Sequence, residues 1–297
     1  MDAQMMLFQQ SFWSGITIGF IYALIALGFT IIFNVSKILN IAQGEFTMIG
    51  ALSLYSFVTT LNSPYWVGLL LTVVLASVIG WFMVKMAINP LKKPDILTMI
   101  VVTVAFGEIL KGAAFLVWGS DNFAIPALFK SVSIPVFSAN VDSQTILIIA
   151  VSLLIYFGFR WVNKNTYFGR ALTAISGDPY AAGLMGIHVK RMILVVFIIG
   201  SIMGSVAGIL AGPLITMSYY QGSMLGIKAF IAALLGGLGS YGGAIIGGLI
   251  LGLFEAYAAG FVSSLLKDAF SFIVLLVLLV FLPSGLVSVK SLYKKNG

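Results

Sequence analysis

The chain has 297 residues, of which 60% are hydrophobic and only 8% charged, with a mean hydropathy of +1.10. A soluble domain carries roughly 25% charged residues, so a water-soluble globule is excluded and an all-α, polytopic helical membrane protein is expected, as one integrated transmembrane domain over 1–297. The net charge of +7 is confined to a few loops, a membrane-topology signal rather than a nucleic-acid footprint, and the absence of cysteine excludes disulfides, thiolate metal sites and cysteine nucleophiles.

The opening residues MDAQMMLFQQ lack a basic n-region, so no cleavable signal peptide is expected. Phe12–Phe33 is the first span, with Gly15 and Gly19 giving it a small-residue face. A short polar break containing Lys37 follows. The next segment, Asn40–Phe57, is apolar but carries Asn40, Gln43 and Glu45 in its first turn. Such groups either face a cavity or partner within the membrane or mark a solvated interfacial helix start. Tyr65–Ile88 is a clear span leading into a basic loop with Lys85, Lys92 and Lys93. Ile96–Trp118 is the next span. Its Glu108 and Lys111 stand one helical turn apart, which predicts an intramembrane ion pair that tunes packing. Ser120–Ser143 is a polar connection, and Gln144–Val162 is another span.

The largest basic loop is Arg160–Arg191. Within it, Asp178-Pro179 reads as a helix N-cap followed by proline at the first helical position. A short helix is expected over Tyr180–Met185, stopped by Gly186. It lies passively at the interface or docks a soluble partner. His188, the single histidine, reads as a surface residue. In Met192–Pro213, Gly200, Gly204, Gly208 and Gly212 recur every four residues, a close-packing stripe. Ile215–Leu225 reads as an uncharged polar connection.

The stretch Gly226–Gly260 fits no ordinary span. As one helix, Ile227–Ala259 would be roughly 50 Å long against a bilayer core of ~30 Å. Its middle, Gly236–Gly243, reads GGLGSYGG, and glycine permits a turn. Two short arms, Ile227–Leu235 and Ala244–Ala259, are expected around a bend inside the protein, as in the broken helices of transporters. The other reading is close helix packing through Gly243, Gly247, Gly248 and Gly252; the two can coexist. Lys267 and Asp268 mark a break. Phe270–Leu282 is the last span, ended by Pro283 and Gly285, and the tail carries Lys290, Lys294 and Lys295.

About eight membrane segments result. Placing the basic loops in the cytoplasm puts the C-terminus there and the N-terminus outside, provided that Ile227–Ala259 enters and returns on one side. The first span and Met192–Pro213 then run in opposite directions, each preceding a polar or glycine-rich segment, as in an inverted repeat. No P-loop, nucleophile–base set or metal-ligand cluster is present, so this chain is not expected to be an enzyme or to hold a cofactor. Three readings remain: the membrane half of an ATP-driven transporter, a secondary transporter coupling protons through Glu45, Glu108 or Glu255, and a membrane scaffold.

Three stretches carry a resemblance over nearly the whole chain: GITIGFIYALIALGFTIIFNVSKILNIAQGEFTMIGA from Gly15, FGRALTAISGDPYAAGLMGI from Phe168 and KAFIAALLGGLGSYGGAIIGGLILGLFEA from Lys228. The chain resembles the permease subunits of branched-chain amino acid ABC importers, of the leucine/isoleucine/valine type. The family's usual N-F-A-H-G-E motif appears as Asn40–Glu45, with Gln43 where histidine is common, a departure that bears on the substrate rather than the fold. The resemblance implies a second, related permease or an identical copy, two cytoplasmic ATPases that bind ATP and magnesium, and an extracytoplasmic substrate-binding protein, in a bacterial inner membrane with its lipid. Relatives serve urea, short amides and other amino acids. The region of Gly169, Arg170, Asp178, Pro179, Ala181, Ala182 and Gly186 looks like the helix that couples to the ATPase. A substrate pathway lined by Asn40, Gln43, Glu45, Gly236, Gly237, Gly239, Gly242 and Gly243 is the accompanying expectation.

Overall fold

The computed structural model describes residues 3–91, 95–129, 132–136 and 139–281. Lys92, Lys93, Leu282, Pro283, Gly285 and the tail lysines Lys290, Lys294 and Lys295 lie outside the described residues. The first part of the chain forms α1 (Ala3–Ser36), α2 (Gln43–Tyr55), α3 (Tyr65–Phe82) and α4 (Ile96–Trp118). Short π-helical turns at Ser56–Thr60 and Met83–Ile88 prolong α2 and α3. A small antiparallel hairpin follows, β1 (Ser133–Val136) and β2 (Ala139–Asp142), with Ser133 opposite Asp142. Then come α5 (Ser143–Asn165), α6 (Tyr167–Gly177) and α7 (Pro179–Leu184). The last part forms α8 (Val189–Ala211), α9 (Gln221–Gly236), α10 (Tyr241–Phe261) and α11 (Lys267–Phe281). Among the described residues, α1, α3 with its extension, α4, α5, α8 and α10 are long and apolar enough to cross a membrane. The hairpin β1–β2 and the helix α6 fall in stretches read from sequence only as connections.

The glycine-rich stretch is a helical hairpin. Its break falls where the glycines place it: Gly237 and Gly239 take φ of 89° and 96°, values that side chains resist. Asn34 at the end of α1 donates to the Gly239 carbonyl at 2.8 Å, and Ser240 caps α10 by accepting from the Gly243 amide at 3.0 Å. The arms are longer than expected, because residues 221–226 form the first turns of α9 rather than a polar connection. Gly222 and Gly226 lie backbone to backbone against Gly44. That tertiary contact fixes a helical start where the local sequence reads as loop.

Small residues set the packing throughout. Gly15 and Gly19 of α1 meet Leu253 and Leu249 of α10, while Gly248 and Gly252 meet Ala23 and Gly19 in return. In α8, Gly204 faces Phe46 and Gly208 faces the Thr47 carbonyl. Lipid provides no hydrophobic force between helices, so close backbone approach supplies the attraction. The bend and the close-packing reading of the glycines therefore hold together.

The neighbour pattern is that of an inverted repeat. The helix α1 packs chiefly on α10, and α8 packs on α3; α2 packs on α8, and α9 on α1; α4 touches α2, and α11 touches α9. Exchanging α1–α4 for α8–α11 reproduces the same set. One end of the bundle gathers the end of α1, the Gly237–Ser240 turn and α6; the other gathers the start of α1, β2 and the end of α10. We call them the loop-helix end and the hairpin end. A Gly208→Leu variant should lower the thermal unfolding midpoint, at a cost of about 1–3 kcal/mol or more from overpacking. Gly112→Ala, where an added Cβ meets nothing within 4 Å, should leave the midpoint unchanged or raise it; circular dichroism melts of the purified protein compare the two.

Candidate functional site

Lys37 adopts a left-handed φ of 58° and ends α1. The chain then turns back into the bundle, so that α2 begins beside Gly28 of α1 and Gly200 of α8, both well inside their helices. The polar groups at this start are therefore held by protein and do not form a solvated interfacial turn. Gln43 donates through Nε2 to the Gly200 carbonyl at 2.8 Å, and Asn40 packs behind it. Both are buried; Gln43 ties α2 to α8, and Asn40 supports Gln43.

Glu45 is different. Its side chain lines a cavity of about 300 Å³ together with Ser223 of α9 and Glu108 and Lys111 of α4, between apolar walls that include Phe29 and Phe230. Ser223 Oγ donates to Glu45 Oε1 at 2.6 Å. Glu45 Oε2 has no partner among the described residues, although the residue is only 4% exposed. A buried carboxylate oxygen without a donor is costly unless a ligand supplies one. Gly222 makes the arrangement possible, since a Cβ there would stand 2.7 Å from Glu45 Oε2.

Glu108 and Lys111 form the expected pair, at 2.5 Å. Its place differs from the packing role read from sequence. The Glu108 side chain is 63% exposed at the middle of α4, and the pair borders the same cavity as Glu45. The residues Gly236, Gly237, Gly239, Gly242 and Gly243 are not brought to this cavity. They lie at the loop-helix end, where Gly236 and Gly243 pack against each other and Tyr241 stacks on Phe159.

The loop helices are built as the sequence indicates, with α6 as an addition. Asp178 caps α7 by accepting from the amides of Tyr180 at 2.8 Å and Ala181 at 3.1 Å, with Pro179 at the first position. Gly186 takes φ of 86° just beyond the helix end. Gly169 sits where a Cβ would strike the Asn163 carbonyl, so α6 folds tightly back on α5, and Arg170 stacks over Tyr167 at 4.3 Å. Ala182 is buried, while Tyr180, Leu184 and Met185 are exposed on this short capped element.

The profile of the family described as "Branched-chain amino acid transport system / permease component" matches residues 11–281. The chain belongs to that family. It is 33% identical to the high-affinity branched-chain amino acid transport system permease protein LivH of Escherichia coli strain K12, over 97% of each chain. It is 31% identical to the permease protein BraD of Pseudomonas aeruginosa, over 92% of this chain and 94% of that one. It is 26% identical to the probable permease protein LivH of Methanocaldococcus jannaschii, over 90% and 88% of the two.

One constellation in this family member escapes a reading of isolated acids. Lys228 of α9 donates to Glu255 of α10 at 2.5 Å and to Asp268 of α11 at 2.6 Å. Tyr22 of α1 donates to the other Glu255 oxygen at 2.8 Å. The signal is present in the sequence: Lys228 and Glu255 are the charges that bracket an uncharged hairpin, and folding at Gly237–Ser240 brings the two arms together. Lys228→Met should cost about 3–5 kcal/mol of stability, because it leaves the buried Glu255 carboxylate without its cation. Adding Glu255→Gln should restore part of the loss, measured by thermal unfolding in detergent.

Proposed function

We propose that this chain is the membrane-spanning permease subunit of an ATP-binding-cassette importer and moves small polar solutes, foremost branched-chain or related amino acids, inward by alternating access. The observation that carries this reading is the Glu45 cavity. It offers an unpartnered buried carboxylate oxygen, a lysine held on one side by Glu108, and apolar walls, which together suit the ammonium, carboxylate and aliphatic parts of such a solute. The names of the relatives point the same way. Urea and short amides lack the charges that Glu45 and Lys111 would meet. Gln43, the departure from the family motif, is engaged with the Gly200 carbonyl, so its exchange for histidine bears on helix packing rather than on the solute.

The 63% exposure of Glu108 in the middle of a span argues for a protein neighbour or a water path on that face, since a charged group in lipid is costly. A second permease, identical or related, is the natural occupant, and the solute path then runs where the two chains meet. ATP is hydrolysed on two cytoplasmic ATPases, and an extracytoplasmic binding protein delivers the solute. The capped helix α7, with Tyr180, Leu184 and Met185 exposed, is the docking element that transmits closure of the ATPases. In this reading the basic loop between α5 and α8 faces the cytoplasm of a bacterial inner membrane, by the excess of basic residues in cytoplasmic loops, and the start of α1 lies outside.

Co-purification from the native membrane followed by reconstitution into proteoliposomes tests the reading. A P-loop ATPase and a second permease should accompany the chain, and leucine uptake should require ATP. Uptake by the chain alone, driven by a proton gradient, would overturn it. In the same assay Glu45→Gln should reduce uptake at least tenfold, the loss of one charge-assisted hydrogen bond, with the ATPase still bound. Leu184→Asp should strip the ATPase from the complex without lowering the unfolding midpoint of the permease.

A further inference from the structure

A second, larger cavity of about 490 Å³ lies at the hairpin end, between α1, α9, α10 and α11 and bordered by β2, the start of α5 and the connection into α9. It is separate from the Glu45 cavity, and α9 is the wall between them. Gln221, Met224 and Lys228 face the larger cavity, while Ser223, Ile227 and Phe230 face the smaller one. These sets lie on opposite sides of a 3.6-residue helix.

The floor of the larger cavity is the Lys228 cluster. Glu255 is saturated there, holding Lys228 on one oxygen and Tyr22 on the other, with Ser271 at 3.4 Å. Asp268 is not saturated. Only its Oδ1 meets Lys228, and its side chain remains 42% exposed at the cavity. Two carboxylates against one ammonium leave a surplus negative charge at the floor. Lys267, the next residue, also lines the cavity and makes no ion pair among the described residues. Trp13, Ile18 and Ile21 of α1 form an apolar wall. The second oxygen of Asp268, the unpaired Lys267 and an apolar wall in one half-open space, whose lining also includes Asp142 of β2, are the recognition elements of an amino acid with an apolar side chain.

The repeat supplies a parallel at the level of whole helices, although the charged residues do not fall at equivalent positions within them. Under the exchange of halves, α9 and α11 take the places of α2 and α4. The helices α2 and α4 bring Glu45 and Lys111 to one cavity; α9 and α11 bring Lys228 and Asp268 to the other, with the signs reversed. We infer that the cavity at the hairpin end is a second solute site, which holds the ammonium group of an aliphatic amino acid at Asp268, its carboxylate at Lys267 and its side chain against Trp13, Ile18 and Ile21. The inference rests on the import reading for the class of solute, and it makes this cavity a station that the solute occupies before the Glu45 cavity.

Isothermal titration of the purified transporter complex in lipid nanodiscs, without nucleotide, tests it. The probes are L-leucine, 3-methylbutylamine, which lacks the carboxylate, and 4-methylpentanoate, which lacks the ammonium. A Glu45→Gln background silences the smaller cavity. Leucine should bind in that background, the amine more weakly, and the carboxylate not at all. Asp268→Asn should weaken leucine about ten- to hundredfold, the loss of one charged hydrogen bond. Lys267→Gln should weaken leucine but not the amine, a difference that general misfolding would not produce. Leucine binding that survives Asp268→Asn and Lys267→Gln unchanged, or that disappears with Glu45→Gln alone, overturns the proposal, as does the absence of binding at millimolar leucine. If leucine binds in an Asp268-dependent way while ATP-driven uptake fails, the site stands and the import reading falls.

Discussion

Everything in this structure depends on how closely α2 can approach α8 and α9. The contacts are backbone to backbone at Gly44, Gly208 and Gly222. Side chains larger than hydrogen at these points would push α2 outward, and Glu45 would leave its place beside Ser223. A membrane interior gives helices no hydrophobic reason to associate, so these near contacts, with the hydrogen bond from Gln43 to Gly200, provide the cohesion. The same economy explains why α2 can start at depth. Gln43, Gly44 and Glu45 at its start, and Asn40 and Ala42 just before it, are buried in protein, the condition under which irregular backbone is tolerated within a bilayer.

Each half of the repeat brings ionisable groups from its second and fourth helices to a cavity, Glu45 and Lys111 in the first and Lys228 and Asp268 in the second. Lys228 and Asp268 are bonded to each other, whereas Lys111 is held by Glu108 of its own helix. The two sets lie on different sides of α9. This helix is therefore in contact with both charged spaces while being anchored at its far end by the Gly237–Ser240 turn. Alternating access requires an element whose displacement closes one space as it opens another, and α9 is positioned between the two.

Much of this was legible from the sequence. Long apolar segments separated by basic loops indicated the class and the order of the spans, and the family was legible in the resemblance of the three stretches from Gly15, Phe168 and Lys228. The break at Gly237 and Gly239 was readable because glycine alone tolerates the required backbone. The Asp178 cap was readable because capping is local, with donor and acceptor two or three residues apart. What could not be read was decided by partners distant in sequence. The start of α9 at Gln221 depends on Gly44, some 180 positions earlier. The place of Glu108 and Lys111 at a cavity, rather than within packing, depends on which face α4 turns to α2. Gly236–Gly243 seemed to belong with Glu45 because both are irregular stretches at membrane depth, yet the length of α9 carries the turn to the other end of the bundle.

The Lys228 cluster also governs how the protein can be made. As α9 emerges it offers the membrane sixteen residues with a lysine among them, a segment whose charge alone opposes insertion by roughly 2.5–3.5 kcal/mol. Its carboxylate partner arrives only with α10. The two arms must therefore enter as a pair, folded at Gly237–Ser240, with Lys228 already against Glu255. Asp268 comes last, on a helix that touches little besides α9 and α10. Until α11 is in place the hairpin is charge-neutral, and α11 then brings Lys267 and Asp268 to the cavity together. Each step of insertion thus adds charges that balance within the segment being added.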